Sequence, residues 1–154
     1  MEKNEKMIGV LNDLIRINND RVDGYEKAAK ETKSIDADLQ GLFHRFAQES
    51  KQFAAELKQQ VKAIGGDPAA DTTTSGKIYR VWMDLKATIT GKDRKAILAS
   101  CEFGEDAAQK AYEKALESDD LAPEIRELIV KQKSLLRQSH DMVRKFRDMQ
   151  VEVK

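Results

Sequence analysis

Apolar residues recur along most of this chain at intervals of three and four, the period of an α-helix with one buried face. Ile8, Leu11, Ile15, Val22 and Ala29 form the first such stripe and predict a helix over about 4–32, with Asn18 and Tyr25 at the steps where an apolar residue is missing. The short polar residues from Ser34 to Asp38 turn and cap the chain. A second helix over about 36–64 follows, carrying Leu39, Leu42, Phe43, Phe46, Phe53, Leu57 and Val61 and stopping at Gly65-Gly66. GGDPAADTTTSG, from Gly65 to Gly76, has no period and reads as loop, whereas Ile78, Trp82, Leu85 and Ile89 predict a short helix over about 77–90. Leu98, Cys101, Ala108, Tyr112 and Ala115 predict a third long helix over about 93–118. Pro123 opens a fourth, over about 123–148, with Ile125, Leu128, Ile129, Leu135, Leu136, Met142, Val143 and Phe146 facing inward.

The interruptions of these stripes are as informative as the stripes. Glu105 falls on the apolar face between Cys101 and Ala108, and Glu49 falls three residues after Phe46 and four before Phe53. Gln132 and either Ser139 or His140 interrupt the fourth stripe. The span from Gly65 to Lys92 is long enough to run the length of a bundle, which makes the second and third helices parallel. Glu49 then lies 13 residues after Asp36 and Glu105 lies 12 after Asp93, a difference of one rise of about 1.5 Å. Counting back through the hairpin turns places Asn18 to Val22 opposite Glu49, and Leu136 to His140 opposite Glu102 and Glu105. Each long helix therefore contributes polar groups to one level of the bundle.

Composition agrees with helices packed around one core: 40% of residues are hydrophobic, 35% are charged, and prolines and aromatics are few. The expectation is an all-α fold in a single domain over 1–154. Lys and Arg number 27, as do Asp and Glu, so no net field draws the chain to nucleic acid or to an anionic membrane. A single cysteine, Cys101, no leader-like apolar stretch in MEKNEK and no bilayer-length apolar run point to a cytoplasmic protein without a membrane span. Cys101 sits at an apolar helical position with no histidine nearby and reads as an inert core residue.

The order of hairpin, long crossover with a short helix, and hairpin resembles ferritin-like four-helix bundles. The stretches TTTSGKIYRVWMDLKA, TGKDRKAILASCEFGEDAAQKAYEKAL and SHDMVRKFRD more specifically resemble a bacterial family of ferritin-like bundles known as a domain of unknown function. The wider resemblance implies a di-iron carboxylate site, with a Glu on each of two helices and a Glu-x-x-His pair on each of the other two. This chain departs from that pattern: Gln52 follows Glu49 at the third place, Arg137 precedes His140, and Asp20, Asp23 and Glu26 miss the first stripe. Glu49, Glu102, Glu105 and His140 remain as candidate ligands for iron or manganese.

The competing reading is a structural polar layer, in which Asn18, Tyr25, Tyr112, Gln132, Arg137 and His140 hold the carboxylates by hydrogen bonds and ion pairing. It is the favoured one: a non-enzymatic ferritin-like bundle with a structural or stress-associated role, no cofactor, and homo-oligomers, a dimer among them, expected from the class. A metal-binding oxidase or storage protein is the alternative. Nucleic-acid binding through the basic crossover residues Lys77, Arg80, Lys86, Lys92, Arg94 and Lys95 is the third reading.

Overall fold

In a computed structural model, which describes residues 2–31, 37–71 and 94–152, every regular element is helical. The elements are α1 (Glu2–Glu31), α2 (Ala37–Ala63), α3 (Arg94–Leu116) and α4 (Pro123–Glu152). The short helix expected over 77–90, Trp82 and the basic segment from Lys77 to Asp93 lie outside the described residues.

α2 ends where its glycines require. Gly65 adopts φ +85°, its N–H bonds to Lys62 O at 3.1 Å, and the Gly66 N–H bonds to Val61 O at 2.9 Å, the paired bonds of a left-handed helix cap. Gly66 also rests against α1, since a Cβ there would lie 2.7 Å from Ile8 Cδ1. The chain then turns back along α1. Asn12 donates to Asp67 O and accepts from Ala69 N–H, Asn19 donates to Asp71 O at 2.8 Å, and Arg16 pairs with the Asp71 carboxylate at 2.9 Å. The start of the crossover thus runs toward the end of the bundle where α2 began.

At the opposite end of the crossover the chain enters α3, which packs antiparallel on α1, hence in the same direction as α2, and closes near the start of α1. The Ala122 N–H lies 3.4 Å from Met7 Sδ, and Lys6 lies 3.6 Å from Asp120. Pro123 occupies the first position of α4, where its missing N–H costs nothing, and Ala122 O receives the first bonds of the helix from Ile125 and Arg126. The Arg126 guanidinium reaches back to Leu116 O and Ser118 O, placing a cation on the carbonyl end of α3.

The buried side chains fall into two apolar compartments. One holds Leu11, Leu14, Phe53, Leu57, Tyr112 and Ile129; the other holds Tyr25, Phe43, Phe46, Leu98, Cys101 and Val143. Asn18, Arg21, Ser50, Glu105 and Ser139 are all buried at the boundary between the two. The inward face of α1 is broader than the expected stripe: Leu11, Ile15, Asn18, Tyr25 and Ala29 of that stripe are buried, Leu14, Arg21 and Ala28 are buried beside them, and Ile8 and Val22 are half-buried. Met142, expected in the core, is 36% exposed and lines the groove between α2 and α4.

Candidate functional site

Arg21 is the centre of the polar layer. Its position is fixed by a seven-residue spacing from Leu14 and Ala28, both fully buried, so that helical geometry carries the guanidinium inward with them. The side chain is 1% exposed. Nη2 donates to Glu105 Oε2 at 2.6 Å, Nη1 donates to Ser50 Oγ, and Nη1 lies 3.5 Å from Glu49 Oε1. The guanidinium carbon also sits 5.2 Å from the centroid of the Tyr25 ring. Burial by itself would draw the Arg21 pKa down, but the charges of Glu105 and Glu49 and the hydrogen bond to Glu105 more than offset it, so the group is held above its ordinary value and stays protonated.

Glu105 is fully enclosed at 0% exposed. Its Oε2 takes both the Arg21 N–H and the Tyr25 hydroxyl, while Oε1 has no hydrogen-bond partner among the described residues. Tyr25 packs edge-on against Phe46, with centroids 5.2 Å apart, and burial together with the Glu105 charge pushes its pKa well up. It therefore serves as a proton donor to Glu105. Glu49 is less enclosed, at 25% exposed; Ser139 Oγ donates to its Oε1 at 2.9 Å. Desolvation raises the Glu49 pKa despite the nearby Arg21.

A directed chain of hydrogen bonds leaves this centre and crosses all four helices. Arg21 donates to Ser50, Ser50 to Asn18 Oδ1 at 2.9 Å, Asn18 to the Tyr112 hydroxyl at 2.9 Å, and Tyr112 to Gln132 Oε1 at 2.6 Å. Gln132 then donates to Glu56 Oε1 at 2.9 Å and to Phe53 O. Each hydroxyl and each amide receives one bond and passes one on to the next member, so donors line up in a single direction from a guanidinium to a carboxylate. Burial raises the Tyr112 pKa and keeps its hydroxyl proton in that sequence.

The structure brings Glu49 and Glu105 together around Arg21, and gathers Asn18, Tyr25, Tyr112 and Gln132 into the same set of bonds. His140 is not brought there. Its Nε2 lies 2.6 Å from Asp106 and its Nδ1 3.3 Å from Asp141, a clasp between α3 and α4. Arg137, expected as a brace, is 59% exposed and pairs with Asp141 one turn along its own helix, because it lies one residue past the buried Leu136 and so on the solvent side. Glu102 is half-buried, three residues before Glu105. Sequence reasoning missed Arg21 and Ser50. Ser50 stands seven residues from both Phe43 and Leu57, all three fully buried, and the same heptad count would have found both residues.

The family model described as a domain of unknown function, DUF2383, matches residues 6–118. The chain belongs to this family. Comparison with curated proteins found no match. Among solved structures, a mutant Dps1 from Mycobacterium smegmatis aligns with a TM-score of 0.82 at 16% identity, covering 95% of this chain and 97% of that one. A ferritin-like, diiron-carboxylate protein from Bacillus anthracis str. Ames aligns with a TM-score of 0.71 at 18% identity, covering 96% of this chain and 99% of that one. At such identities the likeness is one of fold: the DUF2383 chain is a ferritin-like four-helix bundle.

The residues present do not fit a dinuclear carboxylate centre of the kind that fold can carry. Such a centre needs carboxylates on all four helices and two histidines. Here α1 supplies a permanently charged guanidinium at the middle of the layer, α2 supplies Glu49 with Gln52 in the histidine place, and the only histidine of α4 faces Asp106. Among the described residues no three His, Cys, Asp or Glu side chains converge. A dication beside Arg21 would meet like charge in place of its ligands.

Proposed function

We propose that this protein is a metal-independent ferritin-like bundle with a structural role, exercised as a homo-oligomer and not through iron chemistry. The observation that carries the reading is the Arg21 guanidinium lodged between Glu49 and Glu105, where it supplies the positive charge that a carboxylate-rich bundle otherwise takes from metal. The hydrogen-bond chain from Arg21 to Glu56 supports it, since it ties four helices into one register by side chains alone.

The test is elemental analysis of protein purified without chelator or metal-affinity resin, followed by aerobic addition of Fe(II). The expected result is iron and manganese well below one per chain and no oxidation of Fe(II) above the buffer rate. Stoichiometric metal that disappears on Glu105→Ala would establish the metalloprotein reading instead. Light scattering measures the assembly; a monomer at every concentration refutes the oligomer.

A further inference from the structure

α2 and α4 are the most loosely packed neighbours in the bundle, and the seam between them opens into a groove of about 650 Å³. Glu49 and Ser139 face each other across its middle, joined by the 2.9 Å hydrogen bond. Apolar residues flank them one turn away on either side: Phe46 and Phe53 from α2, Leu135 and Met142 from α4. The groove is therefore a mixed slot, with a carboxylate set between apolar side chains and polar residues at its rim.

That carboxylate is incompletely matched. Glu49 and Glu105 share the one guanidinium of Arg21, and the closer contact goes to Glu105, at 2.6 Å against 3.5 Å. The second oxygen of Glu49 has no hydrogen-bond partner among the described residues, and the side chain is partly open to the groove. Of the two cations at the rim, Lys51 is committed to Glu26 at 3.0 Å, which leaves Arg45, one turn before Glu49, exposed.

From these contacts we infer that the α2–α4 groove binds a small molecule with one primary ammonium on an apolar body. The ammonium pairs with Glu49, and the body lies along Leu135 and the exposed thioether of Met142, above the buried Phe46 and Phe53. An α-carboxylate on the ligand meets Arg45. The inference goes beyond the structural role proposed above and does not depend on it, because the groove lies on one chain and involves no metal.

Titration calorimetry at neutral pH with 2-phenylethylamine, L-phenylalanine and phenylacetate tests it, with amide chemical shifts to locate the ligand. The two ammonium compounds are expected to bind with shifts centred on Phe46, Glu49, Phe53 and Met142, and phenylacetate is not. Glu49→Gln should weaken the amine at least about tenfold, the worth of a hydrogen bond to a charged group. Met142→Lys, a change at an exposed site, should abolish binding by placing the protein's own ammonium in the slot, and serves if Glu49→Gln does not fold. Equal binding of phenylacetate, undiminished binding in both variants, or no heat and no shifts with either amine up to about 10 mM overturns the proposal.

Discussion

Arg21 shows how much one buried charge can be asked to compensate. With Glu105 at 0% exposed and Arg21 at 1%, neither partner can fall back on water if the other is removed. Arg21→Ala is therefore expected to destabilise the protein by about 3–5 kcal/mol in urea denaturation, with Arg21→Lys recovering only part of it because an ammonium cannot reach Ser50, Glu49 and Glu105 together. Arg21→Ala combined with Glu105→Gln should cost clearly less than the sum of the two single changes, since the double variant no longer leaves a fully enclosed charge without its partner.

Glu49 behaves in the opposite sense, because desolvation raises its pKa. In the folded protein its ionised form is disfavoured relative to the unfolded chain. The stability it contributes is thus fully present below its unfolded pKa and is lost as pH rises through the folded value. Glu49→Gln, which mimics the protonated acid, should gain stability relative to the parent at neutral pH, and the gap should close as pH falls toward about 4. Denaturation midpoints for the two proteins across that range read the sign directly.

At the scale of the elements, the ends of the helices are where sequence and packing meet most closely. Gly65 and Gly66 were legible as a stop signal, and the φ of +85° at Gly65 gives the reason in backbone geometry. The role of Gly66 was not legible, because it depends on α1: a Cβ would lie 2.7, 2.8 and 3.0 Å from three carbons of Ile8. Gly66→Ala is expected to cost about 1–3 kcal/mol, the usual penalty of overpacking, and Ile8→Ala in the same chain should relieve part of it. Thermal unfolding of the single and double variants measures the coupling. The helix spans themselves were readable from the three-and-four periodicity, as was the arrest of α3 before Pro123. The breadth of the buried face of α1 was not. A stripe one residue wide passes through Val22, about 100° round the helix from Arg21, and so leaves out the cation that Glu105 needs.

For the molecule as a whole, the polar layer separates two apolar compartments and links all four helices through side-chain bonds. Tyr112 is the member that joins the α1–α2 half to α4, accepting from Asn18 and donating to Gln132. Tyr112→Phe removes one oxygen and leaves two buried amides each short of a partner, so a loss of about 2–4 kcal/mol is expected, larger than for a hydroxyl that serves one neighbour. Hydrogen exchange should show the faster opening in both halves of the bundle, whereas a loss confined to α3 and α4 would mean that the halves are not coupled through this bond.

The sequence by itself determined that four amphipathic helices form and that Glu49 and Glu105 share a level, because periodicity and residue count along a helix are local quantities set by a fixed rise and twist. It also determined that Asn18, Tyr25, Tyr112 and Gln132 interrupt the stripes at places where an apolar side chain would otherwise stand. Only the tertiary structure decided which groups answer the buried acids. Arg21 in place of Arg137, and Asp106 as the partner of His140, follow from how far each helix is turned toward its neighbours, a choice made by the packing of two apolar compartments on either side of the layer and written in no single segment of the chain.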